Sequence, residues 1–487
     1  MGLTTSMEIA RTSLHAQQER STVVSRNLAN ASNEYASRKT ANTVTALGGG
    51  VRVASITRAT DAVLFQKVLA SNADVSAQKE IVDALNELDG TVADPEQDSS
   101  LAALIGKLND ALQQYSSSPQ DPVRARSVLN SATDLATGLN EATEVVQTVR
   151  RRADQDIVSS VAKINSLLAD VQTINRQIVN LTIAGADITD ELDLRDKLIA
   201  NVSNEIGIRV VSRSDNDVAI YTDSGVTLFD NTARQVTFTP TPVYTSTTSG
   251  SAVVVDGVAV TGPSASMPIG SGRLKGLTEI RDNYAATYQT QLDEIARGLI
   301  ETFAETDQSG SALLDATGMF SYGDSPTVPT SGALMSGLAG EISVNAAVDP
   351  SRGGELNLIR DGGINGSSYS YNTSGAAGFS SRIRELIDGL ASNRSFDPTA
   401  ESGSQDTVAD FASTSVGWLE EKRRTAASDL EFTQTVQERS SDALNQIIGV
   451  NLDTEMTLLL EIERSYQATS RLITTIDDMY QYLIAAV

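Results

Sequence analysis

Asn451–Val487, NLDTEMTLLLEIERSYQATSRLITTIDDMYQYLIAAV, contains neither proline nor glycine. Leu452, Met456, Leu459, Ile462, Tyr466, Ile473, Ile476, Tyr480 and Leu483 recur in steps of three, four or seven, the spacing of one helix face. The stretch therefore reads as an unbroken amphipathic helix. The opposite end of the chain matches it. Leu3, Met7, Leu14, Val24 and Leu28, with Ala10, Gln17, Ser21 and Ala31 completing the series, alternate steps of four and three, so each terminus offers a coiled-coil seam. The N-terminal seam is thin. A fully buried Leu or Ile returns about 1.5 to 3 kcal/mol, while ordering each residue costs about 1 to 2 kcal/mol. Both ends are therefore expected to be mobile until neighbouring subunits enclose them, as in an assembly subunit.

The 487 residues between and including these helices are too many for one compact core, and two to four domains are expected. With 37 basic against 62 acidic residues the formal charge is -25, which argues against DNA and against anionic membranes. No apolar run reaches the length of a membrane span, and the N-terminus lacks the charged-then-apolar order of a signal peptide. Cysteine is absent, so disulfides, thiolate metal sites and a cysteine nucleophile are excluded.

Moving inward from the termini, the first helix is expected to stop near Ala31, where Ser32 and Asn33 favour local side-chain hydrogen bonds. Gly48-Gly49-Gly50 reads as flexible punctuation, Val51–Arg58 as a short strand, and helix resumes at about Thr60. Asp94-Pro95 ends that segment. A second helix carries Leu101, Ile105, Leu108, Leu112 and Tyr115 and is closed by Pro119 and Pro122. A third begins near Val123, and its apolar face from Val146 to Leu181 would extend about 53 Å. Between about 205 and 270 short β-branched runs alternate with turn residues, with Asp256-Gly257 as a hairpin signal. Helix restarts at Gly272. The Gly- and Ser-rich stretch from 311 to 399 offers candidate strands at Ile342–Val344 and Leu356–Ile359, and helix returns at 379–392 and 407–448.

The fold class is thus mainly α with a β insertion: paired terminal coiled-coil helices, an elongated helical bundle and an outer β-rich domain. The expected division is 1–59 and 449–487 for the terminal helices and linker, and 60–204, 272–310 and 400–448 for the bundle. Residues 205–271 form the β-rich outer domain and 311–399 a second outer excursion or small β subdomain.

The run Ser25-Arg26-Asn27-Leu28-Ala29-Asn30-Ala31-Ser32-Asn33-Glu34-Tyr35-Ala36-Ser37-Arg38 resembles the signature of the rod, hook and hook-associated axial proteins of bacterial flagella. Asn27, Leu28, Ala29, Asn30, Tyr35, Ser37 and Arg38 carry the match. Leu192–Asp196, a β region, and then Gly272-Arg273-Leu274-Lys275-Gly276-Leu277 follow in the order found in the hook-associated members at the hook-filament junction. The resemblance covers roughly 1–310 and 405–487. It implies a structural subunit joining hook to filament, with copies of itself in a ring or helical layer, the hook protein, the next junction protein and an export chaperone on the C-terminal helix as partners. It also implies an extracellular place on the flagellum, reached without a cleaved signal peptide.

Little else in the sequence points to chemistry, and no catalytic residue, cofactor or metal is expected. His15 has no second histidine within a helical turn and reads as a rim residue of helix packing. Asp215 and Asp217 lack the glycine and glutamate of a calcium loop. Gly48–Gly50 lacks the Gly-Lys-Ser/Thr ending of a phosphate cradle. Arg150–Arg152 and Lys422–Arg424 read as partners for surface acids, and acid pairs such as Asp193 and Asp196 as products of an acidic composition. Two further readings are a soluble coiled-coil adaptor and an acidic secreted hydrolase with its site on the β insertion.

Overall fold

In the computed structural model, residues 2–33, 35–46, 48–92, 100–323, 325 and 327–486 are described. Glu34 of the signature turn, the Asp94-Pro95 helix end and Val487 lie outside them.

Helix α1 (Leu3–Ala29) leads into a hairpin of β1 (Lys39–Thr45) and β2 (Val51–Arg58). β1 was not expected. Gly48-Gly49-Gly50 is the turn between the strands rather than a linker, because Gly48 and Gly49 supply the positive φ that closes it. Helix α2 (Ala62–Val92) starts where Asp61 accepts the backbone N–H groups of Val63 and Leu64. Helix α3 (Leu101–Ser117) is followed by α4 (Pro122–Ala184), which runs 63 residues, about 95 Å. Asp121 caps α4 ahead of Pro122, whose missing N–H is harmless in a first turn, and Gly185 ends it in the left-handed conformation at φ 68°.

Helix α4 is the spine of the molecule. Its first half, Ala125 to Val149, packs in one apolar core with α3, and its second half, from Ala153, packs in another with α2 and α5 (Thr189–Glu205). Over the second half lie two antiparallel sheets. One joins β3 (Ile208–Ser212), β4 (Val218–Thr222), β5 (Thr227–Asp230) and β6 (Thr232–Ala233) in sequence order. The other joins β7 (Val236–Thr237), β8 (Val254–Val255) and β9 (Val258–Ala259), and Asp256 and Gly257 turn the β8–β9 hairpin with positive φ as their sequence predicts. Phe229, Val255 and Val260 enter the second core beside Ile157 and Ile164, so the β insertion packs tightly on the spine.

Helices α2 and α4 also block the sheet edges. Gln66 donates to the Ile208 carbonyl and accepts from the Val210 N–H, and Asn165 does the same for both groups of Val236. Each side-chain amide stands in for the strand that is not there.

Helix α6 (Arg273–Glu279) passes through one π turn (Ile280–Tyr284) into α7 (Ala285–Thr302), which fills the first core. The outer stretch is folded. β10 (Phe320–Tyr322) pairs with β11 (Ile342–Val344), preceded by the single turn α8 (Leu338–Glu341). Leu356–Ile359, expected as a strand, instead leads into a helical turn, α9 (Leu358–Asp361), because the Asn357 carbonyl accepts from the N–H groups of Arg360 and Asp361. Helix α10 (Ser381–Leu390) and the bridge of β12 (Arg394–Ser395) with β13 (Gln405–Asp406) complete it, and Phe396 stacks on Phe411 at 4.0 Å.

The returning helix α11 (Val408–Ile448) lies antiparallel along α2: Arg423 pairs with Asp89, and Gln437 donates to Asn72. After Gly449 the chain enters α12 (Leu452–Ala485), capped by Asn451. Where the two cores meet on the spine, Arg150 is buried and donates to the carbonyls of Arg281, Thr245 and Thr248, so it is a structural cation rather than the surface partner its sequence suggested. Burial holds its guanidinium pKa below the usual arginine value. Arg151 and Arg152 do pair at the surface, with Glu144 and Glu87.

Candidate assembly site

The helices α1 and α12 pair antiparallel within one chain: Asn27 meets Glu455 at one end, and Gln17 donates to Ser465 at 3.0 Å further along. The sequence reading expected this pair to wait for neighbouring subunits; the structure forms it within the single chain. The seam it makes is only partly closed. Of the residues expected there, Val24, Ile462 and Ile476 are buried, while Leu3, Met7, Leu14, Leu28, Leu459, Ile473 and Tyr480 are half-buried. Leu452, Met456, Tyr466 and Leu483 are exposed, and so are Leu460, Leu472, Met479, Tyr482 and Ile484, which the single-stripe reading did not include. Helix α12 thus carries apolar side chains on both flanks of the face that α1 covers, and one partner helix cannot bury them.

The signature residues occupy a different place, the foot of the helix pair, where most of them build a polar knot. Asn27 is buried and uses both ends of its amide. Its Nδ2 donates to the Lys39 carbonyl at 2.8 Å and to Glu455 at 3.0 Å, and its Oδ1 accepts from the Lys39 N–H at 2.9 Å. Arg38 donates from Nε to Glu455 at 2.7 Å, and its backbone N–H reaches the Ile448 carbonyl. Ser37 donates from its N–H and hydroxyl to the two oxygens of Asp193, at 3.2 and 2.6 Å. Asn30 closes α1 by donating to the Arg26 carbonyl, exposed Ala29 is the helix's last residue, and the Tyr35 ring packs against the second core.

Four carboxylates at the start of α5, Asp187, Asp190, Asp193 and Asp196, receive this knot. Arg26 pairs with Asp187 at 2.8 Å and with Asp190; Lys39 pairs with Asp190 and with Asp193 at 3.2 Å; Arg58 pairs with Asp193 at 2.9 Å and Asp196 at 2.6 Å. Burial acts against the charged forms of both Arg26 and Asp187. It is the largest single influence on each, but the hydrogen bonds and opposite charges of Asp187 and Asp190 on Arg26, and of Arg26 with the Thr189 hydroxyl and N–H on Asp187, together exceed it, so the arginine pKa is raised and the carboxyl lowered. At Asp196 burial wins over the nearby guanidinium and the carboxyl pKa is raised. The acid pair Asp193 and Asp196 is therefore a built feature. Its three-residue spacing was the available signal, but spacing cannot name partners about 135 residues away.

The remaining candidates fall elsewhere. His15 is exposed and lies 3.2 Å from Glu19. Asp215 sits in a turn with φ 56°, and Asp217 accepts from Asn175. Among the described residues no three His, Cys, Asp or Glu side chains are placed so that they could hold one metal ion, and no helix is long and apolar enough to cross a membrane.

Known proteins bear on this arrangement. Residues 85–320 match the family model of the flagellar hook-associated protein FlgK helical domain, and residues 446–486, which hold α12, match that of the flagellar basal body rod FlgEFG protein C-terminal region. The flagellar hook-associated protein 1 of Bacillus subtilis is 22% identical over 98% of this chain and 97% of its own length. The proteins of that name from Salmonella typhimurium and Escherichia coli are each 24% identical; over the matched segments the chain spans 46% and 49% of their lengths. The flagellar hook junction protein FlgK from Burkholderia pseudomallei aligns with a TM-score of 0.45 at 21% identity, covering 57% of this chain and 56% of that one. These are structural families of the flagellum rather than families of enzymes, and they cover both the helical body and the C-terminal helix. The chain belongs to the flagellar hook-associated protein 1 family.

Proposed function

We propose that this protein is a structural subunit of the bacterial flagellum that joins the hook to the filament and assembles axially through α1 and α12. The observation that carries the reading is the uncovered apolar flank of α12, with Leu472, Met479 and Leu483 each about half exposed beside buried Ile476. Helices from copies of this chain, packed side by side in a ring or helical layer, would bury both flanks and make the fourteen seam residues a continuous core. The hook protein would contact the layer from below and the next junction protein from above. Before assembly the same stripe suits an export chaperone, and export would proceed without a cleaved signal peptide to the flagellum outside the cell. Residues 1–59 with 449–487 would act as the axial unit, 60–204 with 272–310 and 400–448 as the wall, and 205–271 and 311–399 as the outward parts. Electron microscopy of cells lacking the protein tests the reading. Hooks without attached filaments are expected, and normal filaments would refute it.

A further inference from the structure

Helix α12 does not turn its most apolar side towards α1. Among its described residues Ile462 and Ile476 are the large apolar side chains that are fully buried, whereas nine others, Leu452, Met456, Leu472 and Met479 among them, are exposed. Successive residues of a helix stand about 100° apart, so one rotation of that size would carry Met456 into the place of Glu455. The opposite rotation would turn Leu472 and Met479 towards α1. Helix α1 offers little resistance to either. Its buried apolar residues are Ala10, Ala16, Val23 and Val24, short side chains that accept any apolar partner. Apolar burial by itself therefore does not select the face that α12 presents.

A polar contact does select it. Glu455 stands on the same helix line as Ile462 and Ile476, at multiples of seven residues, where the pattern calls for an apolar side chain. Its side chain is fully buried. One carboxylate oxygen accepts from Asn27 Nδ2 at 3.0 Å and the other from Arg38 Nε at 2.7 Å. Both donors are themselves anchored, Asn27 on the Lys39 backbone and Arg38 through its own N–H on the Ile448 carbonyl at the end of α11. Rotating α12 in either sense would pull Glu455 away from both, and a buried charge without partners is costly. A single polar group in a thin apolar seam fixes helix orientation in this way.

We propose that Asn27, Arg38 and Glu455 form a clamp that sets the rotation of α12 about its own axis and so keeps the flank of Leu472 and Met479 turned away from α1. Glu455 is a positioning residue: it decides which side chains face outward without being one of them. The purpose of the clamp rests on the assembly reading above, since the flank it keeps free is the one assigned there to neighbouring subunits. The facing of α12 is a property of the free chain and is measured without the flagellum.

Because the chain has no cysteine, single cysteines report the two faces. In the full-length protein a maleimide should alkylate Leu472→Cys about tenfold faster than Ile476→Cys, as their exposure requires. Adding Glu455→Ala to each should bring the two rates within about twofold while helical circular dichroism is kept. Asn27→Ala with Arg38→Ala should do the same, because Glu455 then gains by turning out to water. Gln17→Ala is the control: it removes the other polar contact of the seam, with Ser465, and should leave the rates apart. Incorporation into flagella should fall with Glu455→Ala and persist with Gln17→Ala. Rates that stay tenfold apart in Glu455→Ala overturn the proposal. So does lost helicity, which would make Glu455 a support of the helix pair rather than the determinant of its facing. Converging rates with full incorporation would uphold the clamp and instead refute the α12 flank as the subunit contact.

Discussion

Asn27 and Lys39 are joined as two residues of a β-ladder are: the Asn27 amide donates to the Lys39 carbonyl at 2.8 Å and accepts from the Lys39 N–H at 2.9 Å. A helix side chain thereby ends the free edge of β1, in the manner of Gln66 and Asn165 at the sheets of the body. Both residues are buried, so the loss of the amide leaves backbone groups without partners. Asn27→Ala is expected to cost about 1 to 3 kcal/mol in urea unfolding and to raise exchange at the Lys39 amide. An unchanged midpoint would show that water replaces the amide.

Asp293 should give the protein a pH dependence in the mild acid range. Burial raises its carboxyl pKa to about 6, although the N–H groups of Gly337 and Ala339 and the Gln289 amide donate to it. A raised carboxyl pKa means that the folded state holds the proton more tightly than the unfolded one. Its contribution to stability is full below the ordinary carboxyl range and is lost as pH rises through about 6. Asp293→Asn removes that titration. The stability difference between the parent protein and this variant should fall by about 3 kcal/mol between pH 3.5 and 7; parallel pH profiles would contradict it.

Gly276 marks the closest approach of α6 to α2. A Cβ there would lie 2.4 Å from the Ala77 carbonyl oxygen, in contact with backbone rather than with a side chain that could turn away. Gly276→Ala should therefore destabilise, although alanine is the better helix former by about 1 kcal/mol. A higher melting temperature for the variant would show that α6 can slide off α2 freely.

The uncovered flank of α12 predicts a separation of stability from assembly. Met479 and Leu483 are about half exposed, so Met479→Asp with Leu483→Asp should change the free chain's unfolding by less than about 1 kcal/mol while abolishing incorporation into flagella. Ile462→Asp and Ile476→Asp, at buried positions facing α1, should instead unfold the helix pair, seen as lost helical circular dichroism. Incorporation of the Met479/Leu483 variant at normal levels would place the subunit contact elsewhere.

Much of this protein is written locally. The periodicity of Leu452 to Leu483 determined α12, Asp121-Pro122 and Gly185 determined both ends of α4, and Asp256-Gly257 determined a hairpin, because helix faces, caps and turns depend on residues a few positions apart. The signature Asn27 to Arg38 pointed to the family without disclosing what its side chains do. Only the tertiary structure decided that Asn27 bonds Lys39 and Glu455, that Ser37 and Arg58 converge on Asp193, and that Arg150 is buried between two cores. It also decided that β1 pairs with β2, and that Leu358 opens a helical turn rather than a strand. Those outcomes depend on partners tens to hundreds of residues away. An ion pair or a buried amide carries no periodicity along the chain, so its partner is fixed by where the helices cross and not by where its residue falls in the sequence.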